Sequence, residues 1–362
     1  MRKNGQFEQA YAAVLPMYRE HHGHYTTLCM FWTATDVLRL RLEAGRFAES
    51  EQILASLRNL YPNLQDKDWS AARTLNRLAL MLATKEQEQR KLLQYEGRRA
   101  GYTTGGEDAN GETNGYMANS DGAKRAWEVQ PEPMQFSLLD YMADFGVNYL
   151  SEDDWQVSEW NGHVVPSLGT KIISRIYHEV QDAECRVQGA GGKVQGENSD
   201  TDRLEAALQM VEMGLQHAPR NKHLLRYQAN LLYRLGEKQR AVALYRQLIE
   251  RSRDSYLFSE LAGMIDDQQE RAALLSKAIM NQRTEVFAQK DRLTLAGLLK
   301  ELFPQNAAFE LQQVVKLRDS LGQRMNRTIQ ALQQELADIV PVTMADQREF
   351  YMRMMKGFAY AA

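Results

Sequence analysis

Cysteine is nearly absent from this sequence, which has only two, Cys29 and Cys185. Two cysteines cannot build the disulfide framework of a small secreted protein, and their scarcity is typical of proteins that fold in a reducing compartment. No hydrophobic run approaches the about 18 residues that a membrane-spanning helix needs, and residues 1–6 begin no signal-peptide hydrophobic region. We therefore expect a cytoplasmic protein with no membrane partner.

Proline is also scarce, with 8 in 362 residues, and strand-like alternation of β-branched residues is nearly absent. The polar stretches are rich in Gln, Glu, Arg and Leu, which favour helices. Hydrophobic residues make up 44% of the chain and charged residues 25%, the profile of a folded, water-soluble protein. The composition predicts an all-α fold.

The common catalytic signatures are missing. The sequence has no G-x-x-x-x-G-K-[ST] phosphate-binding loop, no G-x-S-x-G nucleophile motif and no H-E-x-x-H zinc motif. His178 and Glu179 do not begin a zinc motif, because Asp182 stands where the second histidine would be. We therefore expect a protein that is not an enzyme and needs no cofactor.

Three histidines, His21, His22 and His24, stand shortly before Cys29. Imidazole and thiolate are good zinc ligands, so a metal site is one interpretation. Adjacent histidines do not easily converge on one ion, however, and no second ligand pair follows at a suitable spacing. The sequence favours a polar loop between helices, with no metal.

A 34-residue period occurs in the C-terminal half. Ala207 and Ala241 are 34 residues apart, and Gly236 lies in a polar turn just before the second of them. Close helix crossings need small residues, and glycine suits a tight turn between paired helices. With Ala229 as a further small residue and Pro219 at the end of a unit, this stretch resembles a tetratricopeptide repeat. The resemblance implies a tetratricopeptide-like α-solenoid of antiparallel helix pairs.

Partial copies of the pattern occur near the N-terminus, where residues 5–7 (Gly-Gln-Phe) and 45–47 (Gly-Arg-Phe) each place a glycine turn before a predicted helix. Two glycine-rich stretches interrupt the repeats, and the longer one, 101–122, contains six glycines. Such a stretch buries too little surface to offset the entropy lost on ordering, so we predict flexible linkers.

These features divide the chain into N-terminal tetratricopeptide-like repeats (1–98), a Gly/Asn/Asp-rich flexible linker (99–133), an intervening helical segment with a tryptophan-containing loop (134–186), a short linker (187–199), C-terminal tetratricopeptide-like repeats (200–338) and a terminal helix (339–362).

Within the intervening segment, we predict a helix over 134–150, an ordered loop over 151–166 and a second helix over 167–186. Apolar residues at intervals of four from Leu168 to Val180 support the second helix.

A distinctive motif surrounds the tryptophans of this segment, with LSEDDW at 150–155, EWNG at 159–162 and PSL at 166–168. Together with the flanking repeats, it is similar to an uncharacterised bacterial family of tetratricopeptide-like proteins, which implies the helical-repeat fold and no particular activity. We predict that Trp155 and Trp160 anchor the loop to the helices. The alternative is that these aromatics mark an interface with a partner.

Residues 219–253 carry nine basic side chains and two glutamates, a local charge of +7 in a chain of net charge −3. In a tetratricopeptide array the first helix of each pair lines the concave groove, and the resemblance places His223, Arg226, Asn230 and Tyr233 on that face. Arg226 and Asn230 resemble the pair with which some of these domains bind a peptide's terminal carboxylate. The simpler interpretation is a solvated helix face.

These residues predict a non-catalytic scaffold whose groove binds a peptide or protein partner, an acidic one if arginines make the contact. The alternative is a nucleic-acid-associated accessory protein that uses the basic 219–253 surface on phosphates.

Overall fold

The computed structural model of the chain describes residues 1–64, 69–103, 136–189 and 197–358. These residues are almost entirely helical, as the composition predicts, and neighbouring helices pack in pairs. By its internal contacts the chain divides into two compact units, Met1–Met210 and Val211–Ala362. Most of the two predicted linkers lies outside the described residues. Their described ends are helical, since two helices reach Thr103 and Gly189 and a third begins at Glu197.

The first unit contains seven described helices, and its boundary with the second unit falls within the last of them. They are α1 Phe7–Glu20, α2 His24–Glu43, α3 Phe47–Leu60, α4 Trp69–Thr103, α5 Leu138–Asp144, α6 Leu168–Gly189 and α7 Glu197–His217. Each of α1 to α3 packs against the next helix in sequence, and α6 packs against both α4 and α5. Fully buried side chains such as Phe31, Leu57 and Leu75 form the core of this unit.

The predicted helix over 134–150 is wrong in its length. The α-helix covers only Leu138–Asp144, and a 3₁₀ turn follows at Gly146–Tyr149. Asn76 of α4 donates a hydrogen bond to the Gly146 carbonyl at 3.0 Å, and a Cβ atom at Gly146 would overlap the Met142 side chain. The α-helix therefore ends where the backbone comes close to α4.

The predicted loop over 151–166 contains a β-hairpin, so the all-α prediction is incomplete here. Strands β1 (Ser158–Trp160) and β2 (His163–Val165) pair antiparallel. Asn161 and Gly162 connect them with φ of 50° and 75°. An Asn-Gly pair with both φ values positive is the preferred two-residue hairpin turn, so the local signal was present in the sequence.

The second unit is built from helix pairs. Its helices are α8 Lys222–Arg234, α9 Lys238–Arg251, α10 Ser255–Ala262, α11 Gln268–Asn281, α12 Glu285–Leu299, α13 Pro304–Ser320, α14 Arg327–Glu335 and α15 Met344–Met355. The pairs are α8 with α9, α10 with α11, and α12 with α13, while α15 packs against α11 and α13.

The small residues predicted from the 34-residue period lie where helices pack closely. Ala207, Ala229 and Ala241 are each fully buried. Gly236 ends α8 with φ of 84°, and Gly45 ends α2 with φ of 72°. A positive φ costs glycine little and other residues more, so both predicted glycine turns are confirmed.

Within the described part of the chain, no helix has the length and apolar character needed to span a bilayer.

The contact between Trp155 and Gly169 can be tested by substitution. A Cβ atom at Gly169 would overlap the Trp155 indole ring, so Gly169→Ala is expected to destabilise the first unit by about 1–3 kcal/mol through overpacking. All five tryptophans precede residue 211. A lower urea midpoint followed by tryptophan fluorescence therefore reports on this unit.

Gly297 provides a control inside α12, where an added Cβ atom meets nothing within 4 Å. Gly297→Ala is expected to stabilise the second unit by about 0.5–1 kcal/mol, measured by far-ultraviolet circular dichroism. A midpoint that does not fall in Gly169→Ala would contradict the proposed close contact.

Candidate functional site

The four residues assigned to the groove share one face of α8. His223, Arg226, Asn230 and Tyr233 follow the three- and four-residue spacing that aligns side chains along a helix. His223 and Tyr233 are exposed, while Arg226 and Asn230 are half-buried. Leu224 and Leu231, on the far side of the helix, are fully buried. The face is therefore accessible, and its role in binding stays a prediction.

Arg226 is already engaged within the chain. Its Nε donates to Glu260 Oε2 at 2.7 Å, and its Nη2 contacts the other carboxylate oxygen. The guanidinium also lies over the Tyr256 ring, 5.0 Å from its centroid, and Tyr245 donates its hydroxyl to Glu260 at 2.6 Å. This bidentate contact neutralises the charge of the arginine and fixes the position of its side chain. The carboxylate facing Arg226 therefore comes from α10.

Four of the other eight basic side chains of the stretch 219–253 also pair with carboxylates. Lys222 pairs with Asp254 at 2.7 Å, and Arg246 pairs with Glu270 at 2.9 Å. Lys238 pairs with Asp266, and Arg240 pairs with Glu237. Most of these acids lie beyond residue 253, so a charge count confined to 219–253 overstates the charge of this surface.

His223 contributes an uncharged ring to the α8 face. Partial burial lowers the pKa of its imidazole, and the neighbouring cations Lys222 and Arg226 lower it further, while Asp254 opposes them. Since the ordinary value is 6.5, the ring is neutral at pH 7. It can then both donate and accept a hydrogen bond.

The two candidate interface tryptophans differ in exposure. Trp155 is 8% exposed and packs against Gly169 at the start of α6, which confirms the prediction that it anchors the loop. Trp160 is 71% exposed on β1, opposite His163 on β2. The anchoring prediction is therefore wrong for Trp160, because its strand turns the ring into solvent.

Other candidate groups have structural roles. Asp154 of the acidic cluster is buried, pairs with Arg73 at 2.8 Å and caps the turn that begins at Ser151. His21 and His22 lie in the connection between α1 and α2, as predicted, while His24 begins α2. Across the described residues, no group of three or more His, Cys, Asp or Glu side chains is placed to hold a metal ion.

Sequence reasoning missed a buried charged network in the second unit. Glu310 of α13 is completely buried and accepts hydrogen bonds from Arg292 of α12 at 2.8 Å and from Gln347 of α15 at 2.6 Å. Tyr351 of α15 donates a third hydrogen bond to the same carboxylate. Arg292 also binds Glu285 at 2.9 Å. Glu310 and the three side chains that bind it connect three helices, and no spacing in the sequence predicts this arrangement.

These contacts keep the arginine charged and oppose the effect of burial on the carboxyl group. Burial raises the pKa of the Glu310 carboxyl, while Arg292, Tyr351 and Gln347 lower it. Burial lowers the pKa of the Arg292 guanidinium, but the Glu310 carboxylate together with Tyr351 and Glu285 outweighs burial, so the pKa lies above its ordinary value. Burial and the Glu310 charge both raise the pKa of the Tyr351 phenol. The phenol therefore remains a hydrogen-bond donor.

One protein family matches part of the chain. A family model described as a domain of unknown function (DUF7017) matches residues 222–357. The match begins at the first residue of α8 and ends just after α15, so it contains the α8 face and the buried network. No curated protein matches the chain.

The buried network predicts strongly non-additive substitutions. Glu310→Leu leaves the Arg292 charge without its buried partner and is expected to destabilise the second unit by about 3–5 kcal/mol. Arg292→Met combined with Glu310→Leu is expected to regain most of that loss, because an apolar pair can replace a buried ion pair. Chemical unfolding followed by circular dichroism measures both effects, with Tyr351→Phe (about 1–2 kcal/mol) as a control. Additive losses would argue against the pairing.

The pKa of His223 provides a separate test of the α8 face. Arg226→Gln removes a neighbouring positive charge and leaves Glu260 uncompensated, and both changes favour the protonated ring. The His223 pKa is therefore expected to rise, as measured by NMR titration of the histidine ring protons. Lys238→Gln, which removes a charge of the same sign at the start of α9, is the control and is expected to leave the His223 titration unchanged. If Arg226→Gln leaves the titration unchanged, Arg226 does not lie beside the imidazole.

Proposed function

We propose that this chain is a non-catalytic interaction protein that binds a peptide segment of a partner protein along α8 and α10. The observation that carries the proposal is the α8 face, where His223, Asn230 and Tyr233 remain accessible while Leu224 and Leu231 on the far side of the helix are buried. The proposal includes tetratricopeptide-like stacking of the helix pairs, so that α8 and α10 are the first helices of successive pairs. It also includes a cytoplasmic location, supported by the two-cysteine content.

The contacts of Arg226 change the expected chemistry of the partner. Because Glu260 occupies the guanidinium, the face has little net charge, and an acidic partner gains less from it than the sequence suggests. The Asn230 amide can both donate to and accept from a peptide backbone. The Tyr233 ring offers a large, rigid contact area, which is common in binding sites. An extended, mostly uncharged segment fits this surface better than a terminal carboxylate.

The nucleic-acid alternative depends on cations that are available to phosphates. Five of the nine basic side chains in 219–253 already pair with carboxylates, so each would have to break an ion pair to bind a phosphate. Affinity for single-stranded DNA that falls steeply with salt, in place of peptide binding, would favour this alternative.

Site-specific photo-crosslinking can test peptide binding at the α8 face. A benzophenone amino acid at Tyr233 is expected to form adducts with a partner protein in cells. The same group at Ala243, an exposed position on α9, serves as the matched control. Asn230→Arg, which fills the centre of the face, is expected to lower the adduct yield at Tyr233 several-fold. Mass spectrometry of the adducts locates the partner segment.

Charge reversal at Arg226 is unsuitable for this experiment, because Arg226→Glu would set two carboxylates side by side and disturb packing. Equal adduct formation at Tyr233 and Ala243 would show indiscriminate capture and contradict the proposal. Adducts at Tyr233 that Asn230→Arg does not reduce would also contradict it.

A further inference from the structure

A second potential site lies in the second unit, on different residues from the α8 face. A pocket of ≈ 630 Å³ is formed by the C-terminal end of α9, the connection to α10, one side of α11 and the residues that follow α15. This volume lies within the roughly 300–1,000 Å³ range of small-molecule sites.

The pocket is lined by an excess of cations. Arg246, Arg251, Arg253 and Lys277 face two acidic side chains, Glu250 and Glu270, so the lining has a net charge of +2. Arg246 is bound to Glu270 at 2.9 Å. The other three cations form no ion pair with a described residue, in contrast to most of the basic side chains between 219 and 253.

The favourable position of a cation at a helix C-terminus does not by itself explain why these three cations line the pocket. Arg251 is the last residue of α9, where a cation offsets the partial negative charge of the helix C-terminus. Arg253 lies beyond that helix, and Lys277 is half-buried within α11, between the buried residues Ser276 and Ala278. A half-buried ammonium without a counterion loses hydration. A bound anion would compensate that loss and reduce the repulsion among the three cations.

The walls of the pocket are partly apolar. Ile249 and Phe258 are buried beneath it, and the half-buried Phe358 lies at its side. A small inorganic anion would leave the exposed part of the Phe358 ring in contact with water. A ligand that carries an apolar group beside its charge would cover that part of the ring and gain from the burial.

We propose that this pocket binds a phosphate monoester carried on a small apolar or aromatic group. A phosphate monoester has a charge of about −1.5 to −2 near neutral pH, which matches the net +2 of the lining. In the bound state Arg251 and Arg253 hold the phosphate oxygens with their guanidinium forks, Lys277 adds a third charge, and the apolar group contacts Phe358.

Calorimetric titration of the full chain with phenyl phosphate tests the site. Arg253→Gln combined with Lys277→Gln is expected to weaken binding about tenfold or more, because charge-assisted hydrogen bonds are lost. Lys316→Gln combined with Arg327→Gln makes the same charge change at exposed residues outside the pocket and is expected to leave the affinity unchanged. Circular dichroism confirms that both double variants are folded.

Two further titrations separate the parts of the proposal. Benzoate carries the same ring on a monoanion and is expected to bind more weakly, so equal or tighter benzoate binding would refute the phosphate assignment. Inorganic phosphate lacks the ring, and an affinity equal to that of phenyl phosphate would refute the role of the apolar walls. No binding of phenyl phosphate, or an equal loss in both double variants, would refute the site. These results leave peptide binding at the α8 face unaffected.

Discussion

The buried carboxylate of Glu310 is the contact on which the packing of the second unit most depends. A charge removed from water destabilises a fold unless other groups satisfy it completely. Glu310 is satisfied by Arg292, Gln347 and Tyr351, which arrive from α12 and α15. The three helices must therefore meet in one relative position, because any other arrangement would leave an ionised group unpaired. Apolar packing alone tolerates more variation in position than this network does.

A similar principle operates in the first unit on a smaller scale. The Glu179 carboxylate of α6 is buried and accepts hydrogen bonds from the Ser137 hydroxyl at 2.7 Å and the Leu138 amide at 2.9 Å, at the start of α5. Arg203 of α7 adds a third donor at 2.9 Å. In each unit, a buried glutamate therefore binds groups from other helices and fixes how those helices pack against its own.

How well the sequence predicts these features depends on how far apart in the chain the interacting residues lie. The helical class, the glycine turns at Gly45 and Gly236 and the burial of Ala229 and Ala241 depend on local spacing, so the sequence predicts them. The hairpin at Asn161 and Gly162 also has a local signal, the Asn-Gly pair. The helix-favouring composition of the chain led to the prediction of a loop there instead. The partners of Arg226 and Arg292 lie 34 and 18 residues further along the chain. Only the packing of helices brings these pairs together. The charge counted within 219–253 alone therefore overestimated the positive charge of the candidate site.

The contact between Arg226 and Glu260 has a consequence for how such a chain can change in length. The two residues are separated by 34 positions, the same interval that separates Ala207 from Ala241. The pair therefore joins positions on α8 and α10 that are one such interval apart. A residue inserted within α9 would turn the residues after it by about 100° around the α9 axis and move them 1.5 Å along it, which would displace α10 and separate the two partners. Connecting segments absorb insertions more readily than helices do, so the ion pair constrains the length of α9 more strictly than the length of the turns on either side of it.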